Sequence, residues 1–276
     1  MSFGPGFRKL LTAALTAAVW TATAAAQFTP EETARRGEWE TFLLKAKIVG
    51  SEKIGEGVTK PRKLHLRLGE LEGHAVWKRP SGIGAGVTDK WECEIAAYRL
   101  DKLLALGMVP PTVERSFRLN AGSLQLWADL PMSELKMHRE QISVSPEKAE
   151  GVFKARALQR AFDSLIANTD RSLQNIRYTP DWRLILIDHS RAFRDTYPHV
   201  ERLIYGRNGL SMKTEFAPLP RAFVEALGRL TAEAVRGAVG NCLTSSEIKA
   251  VLVRRDALLR EIADEITRKG EASVLY

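Results

Sequence analysis

The period of the hydrophobic pattern changes along this chain, and that change limits what it can fold into. In Lys63-Leu64-His65-Leu66-Arg67-Leu68, basic and apolar residues alternate strictly. That is the period of a strand buried on one face. Residues 245–269 instead repeat as one long amphipathic helix, and most of the chain from Glu147 onward shares that helical period. The early part reads as strands over 42–49, 63–68, 74–78, 113–119 and 123–127, the last two joined at Asn120-Ala121-Gly122. One helix interrupts them over 91–106, with Asp89 as its N-cap and Gly107 closing it. A polar link covers 29–38, and a Gly82-x-Gly84-x-Gly86 stretch after Pro80 reads as a flexible loop. The helical part carries one insertion, a short hairpin over 175–178 and 182–187 turning at Thr179-Pro180-Asp181. The pattern therefore predicts an α+β chain of two lobes. Residues 27–128 form a strand-rich N-lobe with one helix, and residues 129–276 a helical C-lobe with an embedded hairpin. The boundary falls near Trp127-Ala128-Asp129.

Composition excludes several classes. With 45% hydrophobic and 27% charged residues, the 276-residue chain is neither disordered nor fibrous. Two cysteines, Cys93 and Cys242, permit one bridge at most and exclude a disulfide scaffold. A net charge of +8 suits an anionic partner. No dense basic arm is present, and aromatic residues are not interleaved with basic ones, so nucleic acid is not indicated. At the N-terminus, Arg8 and Lys9 precede an apolar run over 10–26 that ends Ala24-Ala25-Ala26-Gln27. A positive start, a short apolar core and an A-x-A end predict a signal peptide over 1–26, cleaved after Ala26. The mature chain is then exported, either periplasmic or secreted. An uncleaved anchor is the alternative, because the run sits near the lower length limit of a membrane span.

The chemistry-bearing residues fall at fixed intervals. Asp170 and Asn175 are five apart in a polar loop after a predicted helix. Asp188 follows directly on Leu184-Ile185-Leu186-Ile187. A carboxylate at the end of so apolar a strand is short of water and needs a cation or donors. Phosphoryl transfer uses such a set: a carboxylate near the attacking hydroxyl, an amide oxygen and a second carboxylate for metal, and a lysine on the phosphates. Lys78 ends a predicted strand, and Glu94 lies on the following helix where it can hold that lysine. Gly55-x-Gly57 upstream lets backbone amides approach phosphate oxygens. Neither a Walker A loop, a G-x-S-x-G elbow nor an H-E-x-x-H pair occurs. His189 reads as a structural hydrogen-bonding residue.

Longer stretches around these residues resemble a known family. Glu94-Ile95-Ala96-Ala97-Tyr98-Arg99-Leu100-Asp101-Lys102-Leu103-Leu104 with Val109-Pro110-Pro111-Thr112-Val113 is similar to secretory-pathway kinases of the Golgi casein kinase type. So are Asp163-x-Leu165-Ile166-x-Asn168-Thr169-Asp170-Arg171 and Ile187-Asp188-His189-Ser190-Arg191-Ala192-Phe193. The Asn-x-Asp-Arg and Asp-x-x-x-x-Phe shapes recur in phosphatidylinositol kinases and HipA-like kinases. The resemblance spans about 42–194. It implies an atypical, two-lobed protein-kinase-like fold that uses ATP with Mg²⁺ or Mn²⁺. It implies Lys78 and Glu94 on the phosphates, Asp170 as catalytic base, and Asn175 and Asp188 on metal. The acceptor is then a hydroxyl of a protein, glycan or lipid. The chain departs from the pattern at His189-Ser190, where typical kinases carry Phe-Gly, and beyond Arg194 no motif matches. A catalytically silent pseudokinase serving as a protein-binding module is the competing expectation.

Overall fold

The computed structural model describes residues 28–55, 61–84, 87–128 and 130–276. The segment read as a signal, 1–26, lies outside them, as do Gly57 and Asp129. Two helices open the described chain, α1 (Pro30–Ala34) and α2 (Arg36–Lys45), and β1 (Lys47–Lys53) follows. The readings of 42–49 as a strand and 29–38 as a link are thereby corrected. Trp39, Phe42, Leu43 and Ala46 stand at i, i+3, i+4 and i+7, a helical stripe. That stripe packs against Leu64, Leu66, Ala75 and Leu124 to form the N-lobe core.

The sheet continues through β2 (Arg62–Leu68) and β3 (Leu71–Lys78). The glycine-rich stretch after Pro80 is not a loop throughout: β4 (Ser81–Gly84) pairs antiparallel with β5 (Val87–Lys90). Next come α3 (Glu92–Leu103), β6 (Thr112–Glu114) and β7 (Ser123–Leu126). The main sheet runs β1-β2-β3-β7-β6, antiparallel at every pair. β3 and β7 pair from Ala75 with Leu126 to Lys78 with Ser123, so the end of β3 meets the start of β7. Gly122 makes that approach possible, since a Cβ there would lie 2.5 Å from the Lys78 carbonyl oxygen. Asp89 does not cap α3. Trp91 holds the N-cap position, without a side-chain bond, and the Asp89 carboxylate is engaged elsewhere.

The C-lobe contains β8 (Met132–Ser133), α4 (Glu134–Glu140), α5 (Pro146–Leu165), β9 (Ile176–Tyr178) and β10 (Leu184–Leu186). The expected hairpin is β9–β10, and β8 extends it to a three-stranded sheet. After β11 (Tyr205–Gly206) and β12 (Met212–Lys213) come α6 (Arg221–Gly228), α7 (Ala232–Val239), α8 (Ser245–Lys269) and α9 (Glu271–Val274). The limits of α8 match the sequence reading. Thr244 and Glu247 form a reciprocal capping box at its start, and Gly270 ends it at a φ of 81°. The C-lobe core joins Phe162 and Leu165 of α5, Leu184 and Leu186 of β10, and Val251 and Leu258 of α8. Helix α3 contributes Cys93, Ala96, Ala97 and Leu100 to this same core. The one helix of the N-lobe expected from sequence thus packs into the helical lobe. Cys93 and Cys242 are both free thiols; the Cys93 Sγ donates to the Ala192 carbonyl at 3.5 Å.

Candidate active site

Three side chains from different elements meet where the lobes face each other. Lys78, the last residue of β3, donates from Nζ to Glu94 Oε1 at 2.9 Å and to Asp188 Oδ1 at 2.9 Å. The Glu94 side chain is buried, and the Asp188 side chain is 35% exposed. Burial opposes the charge on Lys78, but the two carboxylates outweigh it and hold its ammonium well above the usual lysine range. Burial likewise opposes ionisation of Glu94, but Lys78 outweighs it and holds the carboxyl well below the usual range. Both groups are therefore charged at neutral pH. Glu94 Oε2 accepts from the backbone N–H of His189 at 2.9 Å, so α3 grips the residue directly after Asp188. The structural role of His189 lies in this backbone amide. Its ring is fully buried, packs edge-on to Phe162 and holds Nδ1 3.7 Å from Glu94 Oε2, too far for a hydrogen bond, with none to its nitrogens among the described residues.

Asp188 sits at a φ of 64°, a left-handed conformation that aspartate tolerates better than most residues. Arg171 holds the strand end that leads into it. The Arg171 guanidinium donates to the Ile187 carbonyl at 2.7 Å and the Asn175 carbonyl at 3.2 Å. Its other face makes two bonds of 2.9 Å to Asp163. Asp163 also accepts from Asn168 Nδ2 at 3.1 Å and from the Gln159 amide. One buried ion pair thus fixes the loop carrying Asp170 and Asn175 against the strand carrying Asp188.

Lys78, Asn175 and Asp188 line one cavity of about 250 Å³. Ile54, Val76, Leu126, Trp127, Leu130 and Ile187 form its apolar walls. A larger cavity, about 430 Å³, shares Leu126 and Trp127 but holds none of the candidate residues. Chemistry rather than size therefore selects the smaller one. Glu94 stands behind Lys78 and does not line the cavity. Gly55 is exposed beside Ile54 and does not line it either. Gly57 lies outside the described residues.

Asp170 stands beside the cavity rather than in its wall. Its Oδ2 accepts from Arg191 Nη1 at 3.2 Å, and its side chain is half exposed. Partial burial raises its carboxyl above the usual range; Arg191 pulls down, while Asp188 and Asp89 push up. Arg191 also binds both oxygens of Asp89, at 3.0 and 3.3 Å, and Ser190 Oγ donates to Asp89 at 2.9 Å. The β4–β5 hairpin is in this way tied to the segment after Asp188. Next to Asp89, Lys90 Nζ reaches Glu247 at the start of α8 at 2.5 Å.

Sequence reasoning found Lys78, Glu94, Asn175 and Asp188 but gave no site role to Asp163, Arg171 or Arg191, and read Asp89 only as a helix cap. One signal was available for Asp163: an acid between Phe162 and Leu165 in an apolar helix stripe needs a partner. Replacing Arg191 with Gln removes the guanidinium bonded to Asp170, so the Asp170 carboxyl rises further. The acid limb of a rate–pH profile that depends on Asp170 should then move to higher pH. An unshifted limb would show that Arg191 does not act on Asp170.

No family model and no curated protein sequence matches the chain. Its fold does match solved structures. Hydra Fam20, solved with a sugar, superposes with a TM-score of 0.64 at 15% identity, over 92% of this chain and 95% of that one. The Golgi casein kinase with Mn and ADP bound superposes with a TM-score of 0.62 at 14% identity, over 91% and 80%. The same kinase in another structure gives 0.61 at 13% identity, again over 91% and 80%. The chain has an atypical protein-kinase-like fold, with a strand-rich N-terminal lobe and a helix-rich C-terminal lobe.

Proposed function

We propose that this protein is an exported, ATP-dependent phosphotransferase that moves a γ-phosphate to a hydroxyl of a protein, glycan or lipid. The observation that carries the reading is the Lys78 ammonium, bonded at once to a helix glutamate and to the strand-end Asp188 across the two lobes. An ion pair kept for stability alone has no need to face a cavity between the lobes. The similarity in fold to a kinase solved with Mn and ADP supports the reading. The A-x-A signal read at 1–26 supports export.

In this mechanism Glu94 orients Lys78, and Lys78 offsets the charge on the phosphate oxygens. Asp170, raised above its usual range, accepts the proton of the acceptor hydroxyl as that oxygen attacks. Asn175 and Asp188 supply an amide oxygen and a carboxylate for a divalent ion. The donor set fits Mg²⁺ or Mn²⁺, hard cations that take oxygen ligands. Asp188 Oδ1 is spent on Lys78, and its other oxygen accepts no bond among the described residues. Those residues contain no group of three or more His, Cys, Asp or Glu that could hold an ion. Such a site needs the phosphates themselves to complete it, as Mg²⁺–nucleotide sites do. When bound, the ion supplies charge neutralisation for the transferring phosphoryl group.

ATP with Mg²⁺ or Mn²⁺ should raise the melting temperature of the protein. Nucleotide at 100 times its dissociation constant stabilises by about 2.7 kcal/mol. No shift at millimolar nucleotide and metal would favour the protein-binding module instead.

A further inference from the structure

We infer that Gln125 reads the group at position 6 of the bound purine, accepting a hydrogen bond from an amino group and rejecting a carbonyl. This rests on the nucleotide reading above and goes further, by assigning base selectivity to one side chain.

The inference starts from a chain of hydrogen bonds behind the cavity. The Thr112 hydroxyl has a single proton and two neighbours. It lies 2.8 Å from the Pro110 carbonyl, which can only accept. It lies 3.0 Å from the side-chain amide of Gln125. The proton must go to Pro110, because two oxygens 2.8 Å apart would otherwise meet acceptor to acceptor. The hydroxyl can then only accept from Gln125, so the amide presents Nε2 to Thr112. Oε1 is left pointing away, and it accepts no hydrogen bond among the described residues. Thr112 and Gln125 are direct cross-strand partners on β6 and β7, which keeps the lock short and rigid.

Gln125 is 6% exposed yet lines the cavity, so it belongs to the inner wall and not the rim. Its other cross-strand neighbour is Val76, two residues before Lys78 on the same face of β3. The phosphates must lie toward Lys78, Asn175 and Asp188. The base must then lie among the apolar walls that Val76, Leu126 and Trp127 provide. A purine is joined to its sugar through N9, so the edge farthest from the phosphates carries N1 and the group on C6. That edge faces the inner wall. An amino group at C6 donates to Oε1. A carbonyl at C6 opposes acceptor to acceptor and leaves both unpaired, at a cost near 1–3 kcal/mol. That cost corresponds to about a five- to 150-fold difference in affinity, centred on the ten- to hundredfold range.

The test is a titration of the full protein with ATP and ITP in the presence of Mn²⁺, followed by calorimetry. ITP replaces the amino group at position 6 with a carbonyl and carries a proton on N1, where ATP has a lone pair. Wild type should bind ATP about ten- to hundredfold more tightly. Gln125→Leu should bring the two affinities to within about threefold, because it removes the acceptor. Thr112→Val should also erode the ratio while keeping Gln125, because it frees the amide to rotate. Unliganded melting curves report whether each variant is folded. Equal binding of ATP and ITP by wild type, or an unchanged ratio in a folded Gln125→Leu, overturns this inference and leaves the phosphotransferase reading standing. Failure of wild type to bind either nucleotide overturns both.

Discussion

Asp170→Asn should abolish phosphotransfer while leaving nucleotide binding in place, and Asp188→Ala should abolish both. The two residues do different work in the proposed mechanism. Asp170 stands beside the cavity, and its carboxyl is raised by partial burial. Its amide analogue keeps the shape but cannot take a proton. General-base removal costs about 10²–10⁴ in rate. Asp188 lines the cavity and accepts from Lys78 through Oδ1. Removing it deletes the only carboxylate proposed for metal, so metal-dependent affinity goes with the rate. Single-turnover transfer from labelled ATP, together with titration of nucleotide in the presence and absence of Mn²⁺, separates the two. If both variants retained transfer, the assignment of the site would be wrong. If both lost binding equally, Asp170 would be a ligand rather than a base.

The second large effect concerns stability. Asp163→Ala leaves the Arg171 guanidinium buried and unpaired. Breaking a buried pair in this way costs about 3–5 kcal/mol. In a chain of this size that lowers the melting temperature by about 10 °C. The pair accounts for four hydrogen-bonding obligations at once: two guanidinium contacts, the Asn168 amide and the Gln159 amide. Burial raises the Asp163 carboxyl, but Arg171 outweighs it and brings the group below its usual range. A lowered folded-state value means that the contribution is fully present above the ordinary aspartate range. It is lost as pH falls through the lowered value. Urea unfolding at pH 7 checks the magnitude. A loss under about 1 kcal/mol would mean that the pair is not the clamp described.

Much of this architecture was legible in the residues. The switch from period 2 to period 3.6 placed the lobes. The β9–β10 hairpin and the span of α8 were readable because their signals are local: a Pro-Asp turn, a capping box and a terminal glycine. Helix α2 was misread because Phe42, Leu43 and Ala46 look like the start of an apolar strand. The helical stripe appears only when Trp39 is counted with them. Asp89 was misread as a cap, since its true partners, Ser190 and Arg191, lie about a hundred residues away. The candidate site divides in the same way. Asp188 stood out because a carboxylate after so apolar a strand breaks a local rule, and Lys78, Glu94 and Asn175 because they fall at kinase-like intervals around it. Arg171 and Arg191 did not, since an arginine in a polar loop is unremarkable until the chain folds. The lock on Gln125 depends on one hydroxyl proton and two strands, and no sequence pattern announces it.

The placement of α3 has a consequence for how the lobes are joined. This helix is anchored among the residues of the helical lobe, through Cys93, Ala96 and Leu100 and through the bond from Arg99 to the Val239 carbonyl at 3.0 Å. Its other end is held by α2, where Arg36 pairs with Asp101 at 2.7 Å and Glu40 accepts from Tyr98 and Lys102. Glu94 therefore stands on a beam fastened at both sides, and the sheet's lysine and the strand-end acid are braced from one common support.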